Sequence, residues 1–349
     1  MAHSLRRTFA ATLVAATAAA GPLAAQTPPT VTLSGVAYAQ FGAQLDSAPP
    51  GAKNNSNFDV TRAYINVIGR FSGGITTRVT GDIYQNADGS RTYRLKYAFV
   101  NWTPRGSSLT YRMGLITTPW IDWEESLWDY RMQGPVAVDR NNYMSSADFG
   151  AGIDGNFKNE AVELQAAAFN GYGYGSATGD QHKAYAARAS FRLLGTDEGG
   201  RVGGLRLTGY GQIGAPTNGG QRNRYIGMVS YRSRKLTLVG EYVSTADSTK
   251  GATNVKGSII SAYGVIHVPR SQLAIIGRVD IVDPNTANNT TATSNDKRTT
   301  IIAGASYQLS PNVRLLADVD DTSLQGSGTG SRTAPRKLMQ GLFQLQFTF

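Results

Sequence analysis

The chain contains no cysteine in 349 residues. That excludes a disulfide framework, thiolate metal ligands and thiol catalysis. Histidine is almost as scarce, with His3, His182 and His267 the whole supply. No nucleophile motif accompanies His182 or His267, so the sequence predicts no enzyme. Gly326-Ser327-Gly328-Thr329-Gly330 is glycine-rich but lacks the Lys-Ser/Thr of a phosphate loop, and no cofactor is expected. Acidic residues are outnumbered, giving a net charge of +10. The bases are scattered singly and form no block, so nucleic acid is not an expected partner. No internal apolar run reaches the ~20 residues of a membrane-spanning helix.

The longest apolar stretch, Ala10 to Ala20, lies near the start, after Arg6 and Arg7. Gly21-Pro22 ends it, and Leu23-Ala24-Ala25 offers small residues for cleavage before Gln26. This is the pattern of a secretory signal peptide over 1–25, leaving one domain over 26–349. A chain exported unfolded is well served by having no thiol.

What the sequence does have is glycine, 40 residues of it, and short alternating segments. Read for alternation and turn chemistry, it divides into Val31–Gln44, Phe58–Phe71, Ile75–Gln85, Arg91–Thr103, Ser108–Thr118, Ala147–Lys158, Ala161–Gly171 and His182–Leu194. Val202–Gly214, Arg222–Ser233, Lys235–Ala246, Val255–Val268, Ser271–Val282, Arg298–Leu309, Val313–Leu324 and Arg336–Phe349 follow. Short connections such as 72–74, 104–107, 159–160, 269–270 and 310–312 alternate with long ones such as 45–57, 119–146, 172–181, 283–297 and 325–335. The expected fold is all-β: a transmembrane antiparallel up-and-down β-barrel of about 16 strands, with short periplasmic turns and long extracellular loops. At the C-terminus Phe343, Leu345, Phe347 and Phe349 alternate with Gln344, Gln346 and Thr348. An apolar strand edge there would be a liability in water, so it must pair with Val31–Gln44 and close the ring.

Alternation also assigns faces. One face carries Ile65 and Val67, then Tyr93, Leu95, Tyr97 and Phe99, then Leu109, Tyr111, Met113 and Leu115, as a lipid-facing band would. Tyr97, Tyr111, Tyr231 and Tyr307 suit interfacial girdles. The other face carries the predicted lumen: Arg62, Arg70, Arg78, Arg94, Lys96, Arg112, Arg188, Arg192, Arg206, Arg224, Arg232, Arg278 and Arg314, against Asp82, Glu241, Asp280, Asp318 and Asp320. Such an excess of bases between low-dielectric walls concentrates anions. The alternative is that these arginines pair with the acids and merely fill the lumen. The longest connection, 119–146, holds three of the four tryptophans, and its key residues are Trp120, Asp122, Trp123, Glu124, Glu125, Trp128, Asp129 and Arg131. So aromatic a loop is expected to fold inward as a constriction; packing over the rim or at a subunit interface is the alternative. Asp122, Glu124, Glu125 and Asp129 also supply the oxygen ligands of a possible calcium site, without the spacing of a known loop.

Several segments resemble, in order, the family of phosphate-selective porins. They are Phe58-Asp59-Val60-Thr61-Arg62-Ala63-Tyr64, Ala98-Phe99-Val100-Asn101-Trp102, Arg112-Met113-Gly114-Leu115-Ile116-Thr117-Thr118-Pro119-Trp120, Ala168-Phe169-Asn170-Gly171 and Tyr185-Ala186-Ala187-Arg188. The terminal Phe349 is similar to the C-terminal signal of bacterial outer-membrane proteins, which implies the barrel-assembly machinery as a partner. The family resemblance implies a sixteen-stranded homotrimer among outer-membrane lipid and lipopolysaccharide, passing small anionic or other hydrophilic solutes. It departs at the throat, which is basic in the family. Here Asp122, Glu124, Glu125, Asp129 and Asp139 face Arg131 and Arg140, a balance suited to sugars stacking on aromatic faces, or to peptides. The expectation is a passive porin for small hydrophilic solutes with a weak preference for anions such as phosphate. A non-conducting structural or adhesive barrel, or a sugar- or peptide-preferring pore, is the alternative.

Overall fold

The computed structural model describes residues 28–46, 54–86, 88–176, 180–215, 219–249, 251–287, 295–325 and 336–349. The expected signal peptide, 1–25, and the glycine-rich stretch 326–330 lie outside them. Among the described residues no helix is long and apolar enough to cross a membrane.

The strands are β1 (Thr30–Gln44), β2 (Ser56–Phe71), β3 (Ile75–Gln85), β4 (Arg91–Trp102), β5 (Leu109–Thr117), β6 (Ala147–Phe157), β7 (Val162–Phe169) and β8 (Ala184–Leu194). They continue as β9 (Gly204–Ile213), β10 (Gln221–Arg232), β11 (Leu236–Ser248), β12 (Val255–His267), β13 (Leu273–Asp283), β14 (Arg298–Ser310), β15 (Val313–Leu324) and β16 (Arg336–Thr348). Each pairs antiparallel with its neighbours, and β1 pairs with β16, giving a closed barrel of sixteen strands. Two helices, α1 (Pro119–Leu127) and α2 (Ala137–Arg140), interrupt the connection between β5 and β6. Every expected segment falls within two residues of its strand, because turn chemistry marks both ends of each. At the turn between β2 and β3 Gly73 and Gly74 take φ of 74° and 78°, and a Cβ on Gly74 would strike the Thr103 carbonyl.

The outer wall carries half-exposed aliphatics, among them Leu207, Val229, Leu238, Ile260, Ile275 and Ile301. Left bare over the whole circumference, such a band fits hydrocarbon as its solvent. Near the short-turn end Trp102 and Tyr111 lie ring to ring at 5.7 Å, both exposed on the outside. Tyr97 and Phe99 do not join them. Thr80 pairs with Tyr97 while Gly81 pairs with Leu95, so Lys96 is an extra residue in β4. This bulge moves the strand on by one, and Tyr97 and Phe99, expected outside with Leu95, are buried in the interior. Leu115, expected on the same outer face, is also buried.

The seam joins Val36 to Thr348 and Gln44 to Gln340, and Gly35 and Phe349 exchange both backbone hydrogen bonds. Gly35 lies directly under the Phe349 ring, where a Cβ would collide with it and approach the Tyr64 carbonyl. Gly35→Val should therefore displace the last strand, at a cost of about 1–3 kcal/mol. A lower yield of the heat-modifiable folded band on gels, set beside wild type, is the check; an equal yield would remove the slot from consideration.

Candidate functional site: the inward loop and the wall it leaves open

β5 is short. Leu115 pairs with Ala98, so the strand stops beside Lys96 while β4 extends further, to Arg91. The chain therefore leaves the wall part-way up and turns inward. Its two feet are clamped: the Thr118 N–H donates to the Ser146 carbonyl at 3.1 Å, and the Thr118 hydroxyl to the Ser145 carbonyl at 2.6 Å. Pro119 opens α1, where its missing N–H costs nothing and its fixed φ suits the helix.

From there the loop is fastened to the barrel interior over β7–β16. α1 packs on β7 and β8 and buries Trp120, Ile121, Trp123 and Leu127 completely. The Arg188 guanidinium lies 4.2 Å over the Trp123 ring, and those of Arg201 and Arg206 at 5.3 and 5.6 Å. Trp120 meets Tyr210 at 5.7 Å. Trp128, also fully buried, stands edge-on to Tyr263 at 5.1 Å, with Arg278 at 5.2 Å. At the short-turn end Arg232 donates to the Ser126 carbonyl at 2.8 Å and pairs with Asp129 at 3.2 Å. Arg314 donates to the Asp129 carbonyl at 3.0 Å and lies 5.0 Å over Tyr130, whose hydroxyl meets the Ser306 hydroxyl at 2.7 Å. The loop then climbs. Gln344 donates to the Met132 carbonyl at 2.9 Å, Arg278 to that of Pro135 at 2.9 Å, and Arg224 to that of Tyr143 at 3.0 Å. Arg140 pairs with Asp320 at 2.8 Å. Between these polar bonds lies a dry layer in which Ile121, Leu127, Val136 and Val138 join Met228, Val243, Ile259, Ile276, Ile302 and Leu316 in one buried cluster.

The arginines treated alike in the sequence thus divide. Arg188, Arg206 and Arg278 are buried beneath the loop or behind it. Arg224, Arg232 and Arg314 hold its backbone. Arg112 pairs with Asp154 and bonds Thr117. Arg192 bonds the Asn159 carbonyl, and Arg70 is exposed at the short-turn end of β2. The remaining four, Arg62, Arg78, Arg94 and Lys96, stand on β2–β4, the side the loop leaves open, although Lys96 is itself fully buried there.

That open side is a cation–tyrosine wall. Arg94 is stacked between Tyr84 at 4.6 Å and Tyr174 at 4.4 Å, and donates to the Tyr174 hydroxyl at 2.7 Å. Lys96 donates to the Tyr64 hydroxyl at 2.6 Å. Arg78 lies 4.5 Å from the Tyr97 ring and bonds Asn66 and Thr80. Stacking on a ring face holds a cation without neutralising it. Arg62 pairs with Asp82 at 2.6 Å. Above the wall, at the long-loop end, a cavity of about 940 Å³ is lined by Arg62, Arg94, Arg131, Asp139, Tyr174 and Arg224 among others.

The loop's acids are engaged within the protein, and only Glu125 and Asp139 share a partner. Asp122 takes Arg201 at 2.9 Å, Glu124 takes the Trp120 indole N–H at 2.9 Å, Glu125 takes Arg131 at 2.7 Å, and Asp139 reaches Arg131 at 3.5 Å. With Asp129 on Arg232, the four suggested calcium ligands diverge. Among the described residues no three His, Asp or Glu side chains are grouped to hold a metal. Burial pushes the Asp122 carboxyl up, but Arg201, Arg112 and Arg188 outweigh it and hold the group below its ordinary range. Burial raises Asp139, opposed by Arg131. An acidic, tryptophan-faced throat is therefore not what the loop forms. Its Trp120, Trp123 and Trp128 present no ring face to a passing sugar, since all three are fully buried.

The sequence reading missed Tyr38 and Tyr174, which lie near Arg131 and Asp139 of the loop, and Arg201, which reaches it from the turn after β8. It also missed the dry layer. The signal was present: Ile259-Ile260, Ile275-Ile276, Ile301-Ile302 and Leu315-Leu316 are apolar doublets, which put apolar groups on both faces of a strand. The two histidines among the described residues are at opposite ends of the barrel, His182 with Asp180 in the connection after β7, and His267 at the end of β12 before a short turn. They form no catalytic pair.

No protein-family model and no curated protein sequence matches the chain. Solved structures do. The anion-selective porin from Comamonas acidovorans superposes with a TM-score of 0.68 at 12% identity, covering 92% of this chain and 100% of that one. Salmonella typhi OmpF, solved in complex with daunomycin, gives 0.65 at 13% identity over 91% and 97%. The outer membrane channel DcaP of Acinetobacter baumannii gives 0.64 at 10% over 92% and 97%. The fold is that of the sixteen-stranded outer-membrane porins.

Proposed function

We propose that this chain, built on the porin fold, is a passive diffusion channel of the bacterial outer membrane for small hydrophilic solutes, with a preference for anions such as phosphate. One observation carries the preference. Of the loop's carboxylates, Asp122, Glu125, Asp129 and Asp139 are held by arginines inside the protein and Glu124 is buried against the Trp120 N–H, while Arg78 and Arg94 of the open wall have no acid partner among the described residues. The uncompensated charge on the path is therefore positive, and a narrow low-dielectric passage amplifies it. Nothing is consumed: size exclusion and this field do the selecting. The exposed aromatic hollow at the seam, with Phe41, Phe58 and Phe343, supports contact with lipid, lipopolysaccharide or neighbouring copies in a homotrimer. Phe349, exposed at the end of the closing strand, suits recognition by the barrel-assembly machinery.

Planar bilayers with a salt gradient test the proposal. The expected reversal potential has the sign of anion current, and added phosphate should reduce chloride current by competing for the same wall. A cation-signed potential would overturn the anion preference. Absence of current would favour the alternative of a closed structural barrel, filled by its own loop.

A further inference from the structure

Glu124 of α1 and Glu241 of β11 meet carboxyl to carboxyl beneath the loop, within hydrogen-bonding contact. Both are buried, at 0% and 5% exposure. One Glu124 oxygen accepts the Trp120 indole N–H at 2.9 Å. Its other oxygen, and both oxygens of Glu241, receive no donor among the described residues. The charged and titratable groups around the pair do not resolve this. Arg278 of β13 is paired with Asp280 of the same strand at 2.7 Å. Tyr263 of β12 is buried nearby, its hydroxyl without a hydrogen-bond partner among the described residues. Glu125, next on α1, is turned to Arg131. Three buried acids thus share one arginine. Two touching carboxylates would repel in a medium that screens poorly, whereas one proton between them gives a short charge-assisted hydrogen bond.

We propose that Glu124 and Glu241 share one proton, and that this carboxyl pair positions the inward loop on the barrel wall, so that loss of the proton loosens the loop. The idea builds on the channel reading by adding a pH term to it. Glu241 is a positioning residue: it touches the loop rather than the solute. The sign follows from burial, which pushes Glu124 up to about 8, against the opposing pull of Arg278 and the Trp120 N–H. A raised carboxyl favours the state that keeps the proton. Seating is therefore strongest in acid, weakens as pH climbs above the ordinary carboxylate range, and is weakest once the pair is fully ionised.

The loop supplies its own reporter. Trp120, Trp123 and Trp128 all belong to it, Trp120 is bonded to Glu124, and Trp102 is outside the barrel. The folded barrel in detergent micelles is titrated from about pH 6 to about pH 10, across the range of a raised carboxyl. Tryptophan emission and acrylamide quenching are followed. The expected result is a one-proton step on the alkaline side of neutrality, with quenching higher above it. Glu241→Gln and Glu124→Gln should each abolish the step, since an amide donates to the remaining carboxylate at every pH. Heat-modifiable mobility shows which variant is folded, and either one suffices. A flat wild-type titration, or a step that persists in the folded variants, overturns the shared proton. Conductance across the same pH range is read separately. A fluorescence step in a barrel that passes no current keeps the shared proton and sinks the channel reading, so the two failures are distinct.

Discussion

Trp128→Ala is expected to release the inward loop, costing about 3–5 kcal/mol of its seating and turning a steady channel current into a larger and noisier one. The indole is fully buried between Tyr130, Tyr263 and the Arg278 guanidinium, and its N–H donates to the Gly134 carbonyl at 3.2 Å. Alanine would leave a void beside a charged group, which neither hydrocarbon nor water fills well. Arg278 stays paired with Asp280, so the loss falls on the loop and not on the wall. Single-channel recording and protease sensitivity at 119–146 read the outcome. An unchanged current and an uncut loop would show that the polar bonds at Arg232, Arg314 and Gln344 hold the loop alone. Arg201→Ala is the comparison: its bridge to Asp122 is about a third exposed, and such a pair contributes only about 0–1 kcal/mol.

The second large effect concerns selectivity. Reversing charge on the open wall, with Arg78→Glu and Arg94→Glu together, should lower the anion-to-cation permeability ratio by about tenfold or more. Both side chains are held by rings and neutral oxygens and not by carboxylates, so no internal partner absorbs the change. Arg188→Gln is the contrasting variant. Arg188 is buried over Trp123 and paired with Glu163 at 3.2 Å, so its loss should lower thermal stability and leave the reversal potential nearly where it was. A shift of equal size in both would mean that the covered arginines still shape the field.

That contrast marks how far the sequence could be read. Strand number, strand ends and the closing pair were legible because period-two alternation and turn residues are local, and a barrel repeats them all the way round. Arg94 and Arg188 look the same in that pattern. What separates them is the loop lying on one wall and not the other, a contact between α1 and strands tens of residues away. The acids of 119–146 were visible, but their neutralisation was not, since Arg201 and Arg232 come from distant parts of the chain. The bulge at Lys96 left no local mark either. One extra residue reversed the faces of Tyr97 and Phe99, and nothing in Arg94-Leu95-Lys96-Tyr97 announces it.

The closing seam has a consequence for the order in which the molecule forms. Its two strands are the first and the last of the barrel, so the ring shuts only through the contact of greatest sequence separation, the slowest kind to find. The anchors of the inward loop are on β7–β16, and those of β7–β15 need no seam. The loop can therefore nest on an open, curved sheet before the ring closes over it. Of its fastenings among the described residues only Gln344 to Met132 waits for the final strand. In such a sequence of events the channel would be furnished while it was still a trough, and closure would trap the loop inside instead of requiring it to thread through a finished tube.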